Sequence, residues 1–259
     1  MSAAPIPVAE EKRHSRYVTQ FDQLIEAGAA RFEHGAERIL TDEGRRVVAA
    51  YERYGTQAAL AAVESSPWEE YLTRVWLITA PEAAEFAGPW LGVGKAKDPV
   101  KEQVTVAART RIKKIGPEKA KGMRQSSQEV IVTTLTAAEP GAGARSLLLA
   151  LINAYSDKKT KRARKIAYSE THESANFGTM EAASSLYRAL DKVWVSMADG
   201  RVRDAHAAAH GQRKHLDQHF MVMGDRLNFP GDSSLGASLS NILNCRCTVV
   251  YQSRNDQPR

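Results

Sequence analysis

The sequence predicts a mainly helical α+β fold, with a helical N-terminal region followed by a small C-terminal α+β module that contains a short antiparallel sheet. Three observations predict it. Apolar residues recur at helical spacing along much of the chain. Short runs rich in β-branched residues lie at 193–195 and 245–251, and glycine and proline punctuate the segments between. We divide the chain into a helical region over 1–125 and a second domain over 126–259.

The N-terminal region is predicted to form three helices within residues 17–80. Tyr17, Phe21 and Ile25 recur at helical spacing in the first of them. Asp42 is placed as the N-cap of the second helix. The third begins at Ser66–Pro67, because proline suits the first turn of a helix.

The middle of the chain is predicted to be helical and partly basic. A basic helix spans 100–111 and extends through Lys113 and Lys114, and Gly116–Pro117 interrupts it. Residues 137–143 form a turn or linker, since proline and glycine cluster there without periodicity. The further helical stretches are 118–132, 145–155 and 158–190, the last as one helix or two.

The net charge of +6 conceals an asymmetry along the chain. Residues 1–100 carry a balance of −4 and residues 101–259 a balance of +10, of which 101–125 alone contribute +6. A uniformly basic coat for nucleic acid is therefore excluded, and the positive charge is local.

Two basic runs, at residues 109–114 and 158–165, are candidates for contact with a polyanion. A solvated helix face is the simpler interpretation of any single run. Neither run contains interleaved aromatic residues that could stack on bases, so we expect phosphate contact without sequence choice. The candidate DNA-binding residues are Lys101, Arg109, Arg111, Lys113, Lys114, Lys158, Lys159, Lys161, Arg162, Arg164 and Lys165.

Several other classes of protein do not fit the sequence. Apolar stretches such as 146–154 are about half the length of a membrane-spanning helix. The N-terminus lacks the apolar core of a secretory signal, and the two cysteines cannot form a disulfide framework. Synthesis in a reducing compartment is the expectation.

Two fragments of catalytic motifs are incomplete. The glycine-rich stretch 88–96 has Pro89 and Ala96 where a phosphate-binding loop needs glycine and a hydroxyl. His172–Glu173 is followed by Asn176 instead of the second histidine of a zinc protease. We therefore expect no enzymatic activity and no small-molecule substrate.

The strongest local constellation of chemically competent side chains lies within 199–247. His206 and His210 are four residues apart, as are His215 and His219, so each pair could share a helix face. Cys245 and Cys247 would point the same way from an extended strand.

Two interpretations of this constellation stay open. His206, Cys245 and Cys247 could bind zinc as a cofactor. The simpler account has no cofactor: the cysteines are structural, and Arg246 pairs with a carboxylate such as Asp199.

Three blocks resemble the phage Mu F-like head morphogenesis proteins, the minor capsid proteins of tailed phages. The first is residues 162–178 (RARKIAYSETHESANFG) and the second is residues 193–212 (VWVSMADGRVRDAHAAAHGQ). The third runs from Phe220 through FPGD at 229–232 to NCRC at 244–247. The motif residues that carry the likeness within 126–251 are Trp194, Asp199, Arg201, His206, Gly211, Asn244 and Arg246.

The resemblance implies a low-copy structural component of the virion head, made in the host cytoplasm and located near the portal. Its implied partners are the portal protein and other head proteins, with double-stranded DNA as a further partner and no membrane. It also implies a role in head assembly and in genome delivery. Two alternatives remain: an enzymatic module around Asp199, His206 and Cys247, and a free, sequence-independent DNA-binding protein.

Overall fold

A computed structural model describes residues 8–92, 94, 98–138, 142–186, 190–197 and 200–253 of the chain. The helices are α1 (Val8–Tyr54), α2 (Thr56–Ala61), α3 (Trp68–Trp90), α4 (Asp98–Thr136), α5 (Ala144–Leu186), α6 (Asp204–Ala209) and α7 (Leu239–Ile242). The strands are β1 (Leu190–Val195), β2 (Arg213–His215), β3 (Phe220–Val222), β4 (Asp225–Leu227) and β5 (Thr248–Ser253). The predicted mainly helical α+β class with a short antiparallel sheet is confirmed.

The four long helices share one apolar core, to which α3 contributes the largest side chains. Trp68, Leu72, Val75 and Trp76 are all fully buried on α3. Helix α5 packs along α1, α3 and α4. The same core continues into the C-terminal module through Trp194, so the helices and the module are packed against each other.

The expected N-cap at Asp42 is wrong, because α1 runs without a break from Val8 to Tyr54. Asp42 lies on the exposed side of that helix, where its carboxylate is 3.2 Å from Arg45. The buried face continues past it through Leu40 and Val47. Continuous packing on one face outweighs the local preference of aspartate for a helix end.

The expected interruption at Gly116–Pro117 is also wrong, because α4 continues through it from Asp98 to Thr136. An internal proline costs about 3 kcal/mol in a helix. Ile112, Gly116 and Ala120 form a continuous buried face on either side of Pro117, and their packing offsets that cost. The division that we placed after residue 125 falls inside this helix, and it stays a prediction.

The C-terminal module is built on a three-stranded antiparallel sheet with strand order β2-β1-β5. The central strand β1 pairs with β5 over its whole length, with Leu190 opposite Ser253 and Val195 opposite Thr248. Strands β3 and β4 form a separate hairpin. No helix among the described residues is both long and apolar enough to cross a membrane.

Lys192 is a fully buried lysine on β1 that ties the sheet to the loops around it. Its Nζ donates hydrogen bonds to the carbonyl oxygens of Leu216 (3.0 Å) and Asn228 (2.8 Å) and lies over the ring of Phe220. Burial lowers the pKa of this amine to about 8, although Asp232 and Asp217 oppose the shift.

This lowered pKa predicts that wild-type stability rises with pH relative to Lys192→Met. Between pH 8 and 9.5 the unfolded chain keeps the proton that the folded chain has lost, so the free energy of unfolding should rise by about 1 kcal/mol per pH unit. Urea unfolding of both proteins across this range measures the difference between their free energies of unfolding. The contributions of the other titrating groups are common to both proteins and cancel in this difference. A difference that is constant with pH would contradict the prediction.

Candidate functional site

A buried cluster of one histidine and two cysteines joins two segments that are far apart in sequence. His206 lies on α6, and Cys245 and Cys247 lie just before β5. The Nδ1 atom of His206 is 3.5 Å from the sulfur of Cys245 and 3.4 Å from the sulfur of Cys247. The three side chains predicted as a possible metal site are therefore together, and their ligand atoms all lie within 4.8 Å of one another.

The protein environment shifts the pKa values of the two thiols of this cluster in opposite directions. Burial disfavours the Cys245 thiolate, but hydrogen bonds from Cys247 and His206 outweigh burial and lower the pKa of Cys245. The interaction with Cys245, together with burial, raises the pKa of Cys247. The exposed fractions are 2% for His206 and 1% for each cysteine, so the cluster is closed to a substrate in this conformation.

The motif residues of the second and third blocks surround the cluster. Trp194 packs edge-on against His206, with ring centroids 5.6 Å apart. Gly211, at φ 77°, donates its N–H to the Trp194 carbonyl at 2.8 Å. Asn244 also has a positive φ, of 52°, and Arg246 lies 3.6 Å from Asp22 of α1. The blocks therefore pack together as one structural unit.

The remaining predicted motif residues and histidines lie outside the cluster. Arg201 is exposed, and Asp199 lies outside the described residues, which leaves its proposed pairing with Arg246 a prediction. His210 Nδ1 is 3.0 Å from the Ser196 hydroxyl, at the end of α6. His215 lies on β2, 2.6 Å from Asp191, and His219 precedes β3. His215 and His219 therefore do not share a helix face, because the end of β2 and a turn occupy residues 215–219.

The first block, on α5, connects the helices to the module. His172 Nε2 lies 2.7 Å from the Cys247 carbonyl oxygen. Asn176 Oδ1 accepts a hydrogen bond from Thr248 at 3.1 Å. His172 and Asn176 therefore hold β5 and the segment that precedes it.

Arg111, which the sequence placed among the DNA-binding candidates, lies in the interior. Its guanidinium pairs with Asp232 and packs over the rings of Phe177 and Phe229, 5.0 Å from each centroid. Asp232 is fully buried and also accepts hydrogen bonds from Asn228 and Ser234. This pair links α4 to the FPGD segment of the third block.

Glu170 and Glu173 of α5 form a second buried charged group beside Arg111. Lys119 of α4 lies 2.7 Å from Glu170 and 2.8 Å from Glu173. Glu173 also accepts hydrogen bonds from the backbone and the hydroxyl of Ser233. Burial raises the pKa of Glu170, and Lys119 opposes that rise.

The other basic candidates fall into a paired set and an exposed set. Lys101 pairs with Glu85 at 3.1 Å, and Arg164 pairs with Glu26 and Glu33 of α1. Lys159 is half-buried, and the side chain of Lys158 is outside the described part. The exposed candidates are Arg109, Lys113, Lys114, Lys161 and Lys165.

Arg162 belongs to a buried polar network that sequence reasoning missed. Its guanidinium donates to the Ser127 hydroxyl at 2.9 Å and to the Met123 carbonyl at 2.7 Å. Ser127 donates in turn to Glu43, which is fully buried on α1. The signal in the sequence was Glu43 itself, a carboxylate on the apolar face of α1 between Leu40 and Val47.

The fold and the site define a class of protein in which long helices pack against a small α+β module. A buried Cys–His cluster lies inside the module, and buried ion pairs connect the module to the helices. Residues 128–250 match the family model described as Phage Mu protein F like protein. The resemblance drawn from the three blocks is thus confirmed. The match supports a role in phage head morphogenesis. The comparison with curated proteins and the comparison with solved structures each gave no match.

Proposed function

We propose that the protein is a non-enzymatic, low-copy minor component of a phage head that contacts the portal and lies near packaged DNA. The family match over residues 128–250 carries the proposal. The chemistry around the module supports it, since the best candidate for a reactive cluster is buried. The buried carboxylates of Asp232 and Glu170 are likewise engaged, with Arg111 and Lys119, inside the fold.

Incorporation into particles tests the proposal directly. An epitope-tagged copy in the phage genome should be recovered in procapsids and in mature virions at a few copies per particle. Cross-linking in procapsids should join it to the portal protein. Absence from both particles would overturn the proposal, and cross-links only to other head proteins would overturn the portal contact.

The proposed contact with DNA uses the exposed basic side chains of α4 and α5. Arg109 and Lys113 are one helical turn apart on α4, as are Lys161 and Lys165 on α5, so each pair shares an exposed face. Each phosphate contact releases condensed counterions, which makes the binding steeply dependent on salt.

Neutralising this exposed set should weaken binding to duplex DNA about tenfold or more, because phosphate contacts supply the affinity. The variant replaces five side chains with glutamine: Arg109, Lys113, Lys114, Lys161 and Lys165. Fluorescence anisotropy at several salt concentrations measures the affinity. The steepness of log affinity against log salt should decrease by about 0.9 for each phosphate that the variant no longer neutralises.

A matched control removes the same number of positive charges from exposed positions on α1 and α3. The control replaces Arg16, Arg38, Arg45, Arg53 and Arg74 with glutamine. It should keep most of the affinity and of the salt dependence. Equal losses in both variants would mean that only net charge matters, and the proposed DNA face would be wrong. Loss of particle incorporation by the first variant alone would assign its charges to a protein partner.

A further inference from the structure

The positions of the atoms in the Cys–His cluster suggest a common ligand. Two sulfur atoms approach one imidazole nitrogen, His206 Nδ1, at nearly equal distances of 3.5 Å and 3.4 Å. The single lone pair of that nitrogen can accept a proton from only one thiol at a time. Equal approach by both thiols is therefore better explained by an ion that all three atoms bind.

The distances also match those between the ligands of tetrahedral zinc. With zinc–sulfur bonds of about 2.3 Å and zinc–nitrogen bonds of about 2.0 Å, the edge from sulfur to nitrogen of a tetrahedral site is about 3.5 Å long. Both sulfur–nitrogen distances, 3.5 Å and 3.4 Å, are close to this length. The three ligand atoms also lie within 4.8 Å of one another, so the side chains need little rearrangement to bind the ion. Two thiolates and an imidazole are soft and borderline ligands, the set that favours zinc over magnesium or calcium.

We propose that His206, Cys245 and Cys247 bind one zinc ion in a structural site. They would supply three of the four ligands of a tetrahedral zinc ion. The ion would connect α6 to the segment before β5 across 39 and 41 residues of sequence. That connection closes the loop that carries the β3–β4 hairpin, and so it would stabilise the whole module.

The metal content of the unmodified chain is the first test. The full-length protein, purified without chelators or a metal-affinity tag, should contain one zinc per chain by elemental mass spectrometry. Modification of both thiols with a mercurial reagent should release that zinc. A folded chain that contains no zinc, and whose two thiols react without metal release, would overturn the proposal.

Single substitutions test which residues bind the ion. Cys245→Ser, Cys247→Ser and His206→Gln should each lose most of the zinc. His215→Gln is the matched control, because His215 lies in the same module, has a half-exposed side chain and is paired with Asp191. Full zinc content in Cys247→Ser, or loss of zinc from the control alone, would contradict the assignment.

A measurement on the wild-type chain covers the case in which these variants fail to fold. Cobalt added to the chelator-treated chain should give the intense visible bands of a tetrahedral ion and a near-ultraviolet band from thiolate ligands. Zinc should displace the cobalt and raise the unfolding temperature by several degrees, because it binds the folded chain alone. No absorption by cobalt and no shift of the unfolding temperature by zinc would refute the site, whatever the result of the particle experiments.

Discussion

Gly178→Ala is expected to destabilise the protein by about 3 kcal/mol or more, because the added methyl group has no room at the crossing of α3 and α5. A Cβ atom at this position would lie 2.1 Å from the carbonyl oxygen of Ala80 and 2.8 Å from its Cα. Both are backbone atoms of α3, so no side-chain rotation relieves the clash, and the two helices must separate. Urea unfolding followed by circular dichroism measures the loss.

Gly122→Ala is the matched control for this substitution. Gly122 lies inside α4, exposed, with nothing within 4 Å of an added Cβ. The same methyl group should there stabilise the helix by up to about 1 kcal/mol. The helix-propensity gain is common to both variants, so the difference of about 4 kcal/mol reports the close crossing. Similar stabilities of the two variants would show that α3 and α5 are not in close contact.

The close crossing also explains why the sequence pattern around Gly178 is unusual for a helix. Residues 170–180 are buried on nearly every face, although polar side chains such as Thr171, Ser174 and Asn176 occupy many of the positions. An amphipathic stripe is absent there because α5 lies among α1, α3, α4 and the module. Helical periodicity alone could not predict this arrangement, since the pattern that it detects requires one solvent-facing side.

The sequence singled out His206, Cys245 and Cys247 as a group, and their side chains lie together, whereas it did not indicate the internal ion pairs. Cys245 and Cys247 are close in sequence, and the resemblance connects them to the block that contains His206. By contrast, Arg111 and Asp232 are 121 residues apart, and each has the ordinary appearance of a surface charge. Nothing local distinguishes Arg111 from its exposed neighbour Arg109 except its place on the helix relative to Ala108 and Ile112.

Ion pairs within the fold explain part of the charge asymmetry along the chain. Basic side chains of α4 and α5 pair with acidic side chains of α1 and α3, as Arg164 does with Glu26 and Lys101 with Glu85. Exposed pairs of this kind contribute little stability individually. They reduce the positive charge available to a partner. The DNA contact predicted for residues 101–125 therefore depends on the exposed basic side chains of that stretch.

Asp232→Asn is expected to destabilise the protein by about 3–5 kcal/mol, because it leaves the guanidinium of Arg111 buried beside a neutral amide. The side chain of Arg111 is only 14% exposed. Its remaining carboxylate neighbour, Glu173, is 3.9 Å away and already binds Lys119. The two oxygens of Asp232 also accept hydrogen bonds from Asn228 and Ser234. An amide nitrogen in place of either oxygen would therefore face another donor.

The matched control is Asp225→Asn, which removes a carboxylate that accepts similar hydrogen bonds from Ser238 and Asn241 but lies at the surface. Its effect should be much smaller, because water can form hydrogen bonds with the same donors. Equal effects of the two substitutions would mean that the hydrogen bonds, and not the buried charge of Arg111, determine the loss.

The pH dependence separates the ion pair from general packing. Burial opposes ionisation of Asp232, but Arg111 and the hydrogen bonds from Ser234 and Asn228 outweigh burial and hold the pKa of this carboxyl below its usual value. A lowered folded-state pKa gives stability that is complete above the unfolded-state pKa of about 3.9 and is lost as the pH falls through the folded value. The difference between wild type and Asp232→Asn should therefore be constant from pH 7 to about pH 5 and shrink in more acidic solution. A difference that persists unchanged in acid would assign the loss to packing, and the buried pair would then not be what holds α4 to the FPGD segment.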